Sequence, residues 1–272
     1  MLRVGLALGL LLAASVAYAQ PSVNAGGVLN SGSYTTNGVA PGSLVSIFGT
    51  SLAASPAVAA TIPLSTSLSD VTSVTFNNIP AGLYFVADKQ INAQLPFDVL
   101  PAGMTNGQAT IIVTRGNGVS EPQTVPIVQV SPGIFTTTQN GLGQAFAYDN
   151  TTGAIAAPTG TVIGSFSVTP ISLSSGHALI IACTGLGAVT PPIDNYVAAS
   201  DGTLRYTVLQ PKVLIGGVEA QYIYAVLSPQ YVSEYQIGVL PAPSTPTGPA
   251  VPLQIQIGGV TTSDQVTIAV AP

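Results

Sequence analysis

The sequence has very little charge. Lysine, arginine, aspartate and glutamate make up 6% of its 272 residues, with five basic and ten acidic groups, whereas about a quarter of the residues of an ordinary globular protein are charged. A phosphate backbone would meet a repelling field on such a chain. The composition therefore predicts that nucleic acid is not a partner, and that serine, threonine, asparagine and glutamine supply the polar surface.

Cysteine and histidine are also scarce. The chain has one cysteine, Cys183, and one histidine, His177. A single cysteine excludes an internal disulfide, and two such residues cannot supply the ligands of a zinc site. Cys183 shares a strand parity with Leu179 and Ile181, so we expect a buried thiol in a core. We expect neither a metal nor a cofactor.

Groups suited to catalysis are sparse. His177 follows a Ser-Ser-Gly turn at the start of a strand, without the Gly-x-Ser-x-Gly nucleophile turn of a hydrolase, and is interpreted as a polar residue at a strand edge. Most acids lie in turns or stand alone in the sequence: Asp88, Asp98, Asp149, Asp194, Asp201, Glu121, Glu219, Glu234 and Asp264. Two facing carboxylates would be enough for glycoside cleavage, so a glycosidase-type enzyme stays an alternative to the favoured non-enzyme. Oxygens from residues 194–195 and 201–202 could also hold a loosely bound calcium ion.

The N-terminal residues resemble an export signal. Arg3 precedes an apolar stretch at residues 4–16, and the small-x-small pattern at residues 17–19 predicts cleavage between Ala19 and Gln20. The stretch is shorter than the roughly 20 residues of a membrane-spanning helix. We therefore expect an exported protein, periplasmic, on the cell surface or extracellular, with no integral membrane segment after cleavage.

Two parts of the chain repeat each other. Residues 42–52 align without a gap with residues 176–186, and residues 78–85 and 118–127 align with residues 217–224 and 259–268. Glycines 116, 118, 258 and 259 then fall at equivalent hairpin tips, where positive φ is needed. The repeat predicts an internal duplication, with a signal peptide at 1–19 and domains at 20–134 and 135–272.

The local patterns are those of an all-β protein. Short runs rich in Val, Ile, Thr, Tyr and Phe alternate with Asn-Gly, Pro-Gly and Asp-Gly turn signals, and no long stretch has a helical apolar period. Units of this size predict two tandem immunoglobulin-like β-sandwiches. The second has an added hairpin at residues 144–156 and a long polar insertion at residues 190–210, where we expect binding because long loops commonly carry it.

Four segments of the chain also resemble a known family. Residues 39–52, 88–96, 130–135 and 184–192 together resemble the Solibacter uncharacterised C-terminal domain family, in that family's order. The resemblance covers nearly the whole mature chain. It implies an exported bacterial module of tandem IPT/TIG-like, immunoglobulin-like domains, and it provides no catalytic residues to transfer.

Tyrosines provide the clearest candidate contact residues. Tyr222 and Tyr224 are expected on one face of a strand, with Ile223 and its counterpart Tyr84 on the other, so this strand is apolar on both faces. The second face either packs on the neighbouring domain or forms an exposed patch. The predicted contact patch contains Tyr84, Tyr222, Tyr224, Tyr231 and Tyr235.

These observations predict a non-catalytic, exported structural or adhesive module that acts by contact. Its partner would be a protein or a glycan at the cell surface. One alternative is a carbohydrate-binding module with Tyr148, Tyr196, Tyr206 or Tyr231 as a stacking platform. Another is self-association, because few charges protect the exposed β-edges from pairing with a second chain.

Overall fold

A computed structural model describes residues 20–174 and 176–272. The predicted signal segment at 1–19 lies outside the described residues. The described chain is all-β, with 24 strands and no helix. None of its described elements is a helix long and apolar enough to cross a membrane.

The first unit is a two-sheet sandwich. Its strands are β1 (Ser22–Asn30), β2 (Leu44–Thr50), β3 (Ala57–Val58), β4 (Val71–Phe76), β5 (Ile79–Pro80), β6 (Gly82–Val86), β7 (Gln90–Gln94), β8 (Gly107–Arg115), β9 (Gly118–Val119) and β10 (Gln123–Ile127). One sheet has the order β1-β2-β7-β6-β3, and the other has the order β10-β8-β4-β5 with β9 paired to β8. All these pairs are antiparallel.

The second unit is a larger sandwich. Its strands are β11 (Gly133–Ile134), β12 (Gly143–Gln144), β13 (Ala147–Asp149), β14 (Ile171–Ser172), β15 (Leu179–Thr184), β16 (Val189–Thr190), β17 (Tyr206–Thr207), β18 (Lys212–Ile215), β19 (Val218–Glu219), β20 (Gln221–Leu227), β21 (Tyr235–Leu240), β22 (Gly248–Ile257), β23 (Val260–Thr261) and β24 (Val266–Ala271). One sheet runs β11-β15-β21-β20-β17-β16, with β13 also on β15. The other runs β12-β24-β22-β18-β19, with β14 on β24 and β23 on β22.

The two units share a strand order. In the sheets just described, β2, β7 and β6 of the first unit take the places of β15, β21 and β20 in the second, and β10-β8-β4-β5 takes the place of β24-β22-β18-β19. A register shift falls at aligned positions, between residues 83 and 85 in β6 and between residues 222 and 224 in β20. The hairpin glycines Gly116, Gly258 and Gly259 have positive φ, as expected, but Gly118 does not, so that part of the prediction is wrong.

Alternating apolar side chains build each core. In β8, Ala109, Ile111 and Val113 are buried while the residues between them are more exposed, as expected of a strand with one face on a core. Facing sheets contribute to one core cluster in each unit. Cys183 is fully buried in the second core, which confirms the predicted core thiol, and burial raises the pKa of that thiol.

A buried asparagine holds the segment that connects the two units, at Ser131, whose own N–H donates to the Gly185 carbonyl of the second unit at 2.8 Å. Asn30 is fully buried, and its Nδ2 donates to the carbonyl of Ser131 at 2.6 Å. Its Oδ1 accepts from the N–H groups of Gly32 at 2.7 Å and Ser33 at 3.0 Å. A Cβ at Gly185 would lie 2.0 Å from the Ser131 carbonyl oxygen. The backbones therefore approach too closely here for any side chain at residue 185.

The long polar insertion of the second unit also contacts the first unit. Oδ1 of Asn195 accepts from the N–H of Phe97 at 2.8 Å. The Tyr196 hydroxyl donates to the Pro80 carbonyl at 2.7 Å, and the Tyr196 carbonyl accepts from the N–H of Leu64 at 2.8 Å. The prediction of a binding loop is therefore wrong for this part of the insertion, since these groups are occupied in holding the two units together.

Candidate functional site

The outward face of the β15-β21-β20 sheet carries several aromatic side chains. Residues 181, 183, 235, 237 and 239 face the core and are fully buried. Because side chains alternate along a strand, residues 180 and 182, together with 236 and 238, face outward. We call this surface the tyrosine face. It consists of residues 180, 182, 236 and 238 together with the residues paired to them on neighbouring strands, which are Tyr148 on β13, Tyr224 and Val226 on β20, and Tyr206 on β17.

One cross-strand row crosses the tyrosine face. Tyr148 on β13 pairs with Ile180, Ile180 pairs with Gly238, and Gly238 pairs with Tyr224. Two tyrosines therefore stand on either side of an isoleucine and a glycine. Burial raises the pKa of both Tyr148 and Tyr224, yet within residues 20–174 and 176–272 neither hydroxyl hydrogen-bonds to a protein group.

Gly238 provides the space in which the Tyr224 ring lies. A Cβ built on Gly238 would be 2.6 Å from Cε1, 2.8 Å from Cζ and 3.0 Å from Cδ1 of Tyr224. Three ring atoms are thus close to the sheet backbone at this one position. The ring therefore lies against the glycine, and the Tyr224 side chain remains partly exposed to solvent.

Replacing Gly238 with alanine is expected to move the Tyr224 ring off the sheet. The new methyl group cannot share the space of the ring, and such overpacking costs about 1–3 kcal/mol. Near-UV circular dichroism should report the changed tyrosine environment, while far-UV spectra keep the β signal. An unchanged near-UV spectrum would show that the ring does not need the glycine.

A second row lies beside the first. Ala182 pairs with Gln236, Gln236 with Val226, and Val226 with Tyr206. Tyr206 is 44% exposed. The Gln236 amide brings both a donor and an acceptor to this largely apolar surface.

Glu234 stands at the end of the same strand face, two residues before Gln236. It is half-buried, and Nε2 of Gln236 donates to its Oε1 at 3.3 Å. Burial raises the pKa of the Glu234 carboxyl above its usual range, although hydrogen bonds from Gln236 and Ser228 oppose the shift. The face therefore combines tyrosine rings, an amide and a poorly solvated carboxylate.

An apolar extension continues the first row beyond Tyr148. Ile155 pairs with Tyr148 and with Val168. The rings of Phe146 and Phe166 meet edge to face, with centroids 5.9 Å apart. Phe166 is 57% exposed, so the aromatic surface reaches solvent at this edge.

His177 anchors the hairpin that carries Tyr148. Its Nδ1 lies 2.7 Å from Oδ2 of the buried Asp149, whose Oδ1 accepts from the N–H of Thr151 at 2.8 Å. Burial opposes ionisation of Asp149, but the hydrogen bonds from Thr151 and His177 outweigh it and hold the pKa of this carboxyl below its usual range. Asp149 is thus a turn aspartate, as the sequence predicted, and also the hydrogen-bond partner of the histidine.

Asp149→Asn is expected to lower stability at neutral pH by about 1–3 kcal/mol, the usual size of a hydrogen bond to a charged group. Because the folded-state pKa of Asp149 is depressed, its contribution is present above the unfolded-state pKa and is lost as pH falls through the folded value. The gap between wild type and variant should therefore shrink in acid. Urea unfolding at a series of pH values measures it, and a pH-independent gap would contradict this reading.

The structure divides the predicted contact patch. Tyr224 lies on the tyrosine face, and Tyr231 is 53% exposed. Tyr84 packs between the units, where its hydroxyl donates to the Val232 carbonyl at 2.7 Å. Of the two alternatives for the second apolar face of this strand, packing on the neighbouring domain is therefore the one observed in β6, at Tyr84.

Two tyrosines of that predicted patch face the core instead. Tyr235 is fully buried, and its hydroxyl donates to the Gly187 carbonyl. Tyr222 packs against the same core, because the register shift in β20 places Tyr222 opposite Val239 and Tyr224 opposite Gly238. The prediction that Tyr222 and Tyr224 share a face is wrong, since one extra residue reverses the alternation.

The alternative sites have other roles in the structure. Of the predicted stacking residues, Tyr148 and Tyr206 lie on the tyrosine face, whereas Tyr196 is held between the units. The Asp201 carboxylate, proposed for calcium, accepts from Nη1 and Nη2 of Arg205, both at 2.7 Å. Within the described ranges, no group of three or more His, Cys, Asp or Glu side chains is placed to hold a metal ion.

Comparison with known proteins yields distant likenesses to solved structures. No family model and no curated protein matches the chain, so the family resemblance noted above stays a prediction. The SGBP-B protein of a Bacteroides ovatus mixed-linkage glucan utilization locus, solved with a mixed-linkage heptasaccharide, is 13% identical with a TM-score of 0.31, over 86% of this chain and 42% of that one. The surface glycan-binding protein PbSGBP-B of Prevotella bryantii is 10% identical with a TM-score of 0.25, over 91% of this chain and 42% of that one.

The I9–I11 tandem of titin is 10% identical with a TM-score of 0.22, over 92% of this chain and 66% of that one. The chain spans 42% of each of the two glycan-binding proteins. At these identities the likeness concerns the β-sandwich architecture alone.

Proposed function

We propose that the protein is an exported, non-catalytic contact module that adheres to a glycan through the tyrosine face. The observation that carries this proposal is the Tyr224 ring lying against Gly238, in the same cross-strand row as Tyr148. Rings supported in this way keep their position without a ligand, so binding does not have to order them.

The chemistry of the face suits a sugar chain. A sugar ring presents C–H groups on its faces and hydroxyls around its rim. The tyrosine rings offer flat apolar surfaces on which the C–H groups of a sugar can pack. The tyrosine hydroxyls and the Gln236 amide offer hydrogen-bond donors and acceptors for the sugar hydroxyls. The second row, with Tyr206, provides room for a chain of several residues.

The contact between the units supports an adhesive role. Asn30 holds the connecting segment through a buried hydrogen bond, and the Asn195–Tyr196 segment bonds to the first sandwich through one part-buried and one exposed hydrogen bond. Two domains held in this way keep the tyrosine face in one fixed orientation relative to the first unit. An open face of fixed orientation favours attachment to an extended polymer over enclosure of a small molecule.

Affinity electrophoresis of residues 20–272 through gels containing single polysaccharides tests the proposal. We expect retardation by at least one of a panel of β-glucan, xylan, mannan, chitin-derived and chitosan polymers. Migration equal to that of a non-binding reference protein in every gel would overturn the glycan proposal.

Contact with a second copy of the chain is a second candidate, favoured by the turn at residues 162–166. Val162 is 87% exposed and Phe166 is 57% exposed, and the low charge offers little repulsion between copies. Light scattering over a range of concentrations would show growth in mass that Phe166→Ser abolishes. A constant monomer mass would exclude it.

A further inference from the structure

The distribution of charge separates Glu234 from the other acids. Within the described ranges, each lysine and arginine lies in an ion pair with a different acid: Lys89 with Asp88, Arg115 with Asp70, Arg205 with Asp201 and Lys212 with Glu219. The histidine, His177, hydrogen-bonds to a fifth acid, Asp149. The described acids outside these pairs are Asp98, Glu121, Asp194, Glu234 and Asp264. Glu234 is half-buried, whereas the other four are exposed.

A half-buried carboxylate without a cation is unfavourable. Burial raises the pKa of Glu234, because removing water destabilises the charged form. The hydrogen bond from Gln236 offsets part of this cost but brings no charge. A positively charged ligand group would compensate the carboxylate fully, and no described protein group does so.

Aromatic side chains lie close to Glu234 in the chain and in the fold. The Tyr84 hydroxyl donates to the carbonyl of Val232, two residues before Glu234, and after burial the charge of Glu234 is a further cause of the raised pKa of Tyr84 and of Tyr148. Tyr231, three residues earlier in the chain, is exposed beside it. An ammonium group is attracted both to a carboxylate and to the faces of tyrosine rings.

We infer that the tyrosine face selects a glycan bearing free amino groups, with the sugar ammonium on Glu234 and the pyranose rings on Tyr148 and Tyr224. This inference rests on the proposed function and narrows it from glycans in general to amino sugars that are not acetylated. The N-acetylated form of the same sugar has no charge to offer Glu234 and adds an acetyl group that must be accommodated.

The test compares two ligands that differ in acetylation alone. Binding of the tetramers of glucosamine and of N-acetylglucosamine to residues 20–272 is measured by titration calorimetry at a series of pH values from mildly acidic to neutral, so that the series includes conditions in which the amines are protonated and Glu234 is ionised. We expect the aminated tetramer to bind at least about tenfold more tightly, the usual effect of a hydrogen bond between charged groups.

Variants then assign the preference to Glu234. Glu234→Gln keeps the size and the bond to Gln236 and is expected to bring the two affinities close to equality. Glu121→Gln, which removes an exposed acid far along the sequence, is the matched control and should keep the preference. A preference that persists in Glu234→Gln would overturn the inference.

The two proposals fail in different ways. Equal affinity of the wild type for both tetramers would contradict the inference and leave the glycan-binding function standing. An absence of binding by both tetramers and by every polysaccharide of the gel panel would overturn both. The wild-type comparison decides the inference even if Glu234→Gln does not fold.

Discussion

Asn30→Ala is expected to lower the melting temperature by roughly 5–12 °C and to separate the unfolding of the two units. The substitution removes three hydrogen bonds and leaves the Ser131 carbonyl and two backbone N–H groups unpaired in a buried contact. Unpaired buried groups cost about 1–3 kcal/mol each, and the partly buried position of Ser33 favours the lower end, about 3 kcal/mol for the three groups. At about 2–4 °C per kcal/mol for a protein of this size, this cost gives the stated shift.

Asn24→Ala is the matched control. Asn24 lies on the same strand but is exposed, so its loss should shift the midpoint by less than a degree or two, as about 0.5 kcal/mol implies. Differential scanning calorimetry measures both variants. If Asn30→Ala melts like Asn24→Ala, the buried asparagine does not hold the units together.

The double variant Tyr148→Ala with Tyr224→Ala is expected to weaken glycan binding by at least about a hundredfold. Buried aromatic anchors contribute about 2 kcal/mol or more each to an interface, and each 1.4 kcal/mol is a factor of ten. Both hydroxyls lack partners within the described part of the chain, so their loss leaves no protein group unpaired. Affinity electrophoresis in the retaining polysaccharide measures the change.

Val58→Ala is the control for this double variant. Val58 is 70% exposed on the first unit, so the substitution removes exposed apolar surface away from the tyrosine face. We expect unchanged retardation. If the double variant and the control migrate alike while both keep their β spectra, the tyrosine face is not the binding surface.

Much of the fold could be read from local patterns. Alternating residues such as Ala109, Ile111 and Val113 specify a strand with one face in a core. The buried thiol follows from the parity that Cys183 shares with Leu179 and Ile181. The aligned segments anticipated that β20 corresponds to β6. These features depend on a period of two residues, which the sequence displays directly.

The composition of the tyrosine face could not be predicted in the same way, because it depends on strand pairing, which has no local pattern in the sequence. The register shift in β20 moved Tyr222 into the core and left Tyr224 outside, and a bulge is set by pairing with a neighbouring strand. Tyr235 shares a parity with Ile237 and Val239, so its burial could have been predicted from the same alternation. The pairing of Tyr148 with Ile180 joins residues far apart in the chain.

Charge compensation could not be read from the sequence either. Glu234 is one of ten acids in the printed sequence. The residues beside it in the chain do not indicate that, in the fold, a different acid lies next to each described lysine, arginine and histidine. The same limit explains the long insertion, whose residues 195–196 look like a loop but bond to the first unit.

A titration of isotope-labelled residues 20–272 with a bound oligosaccharide, followed by amide chemical shifts, tests the central proposal most directly. We expect the largest changes at Ile180, Tyr224, Gln236 and Gly238, which share the tyrosine face. Changes confined to the 550 Å³ cleft between the units, lined by residues such as Ser33, Asn106 and Thr261, would contradict it.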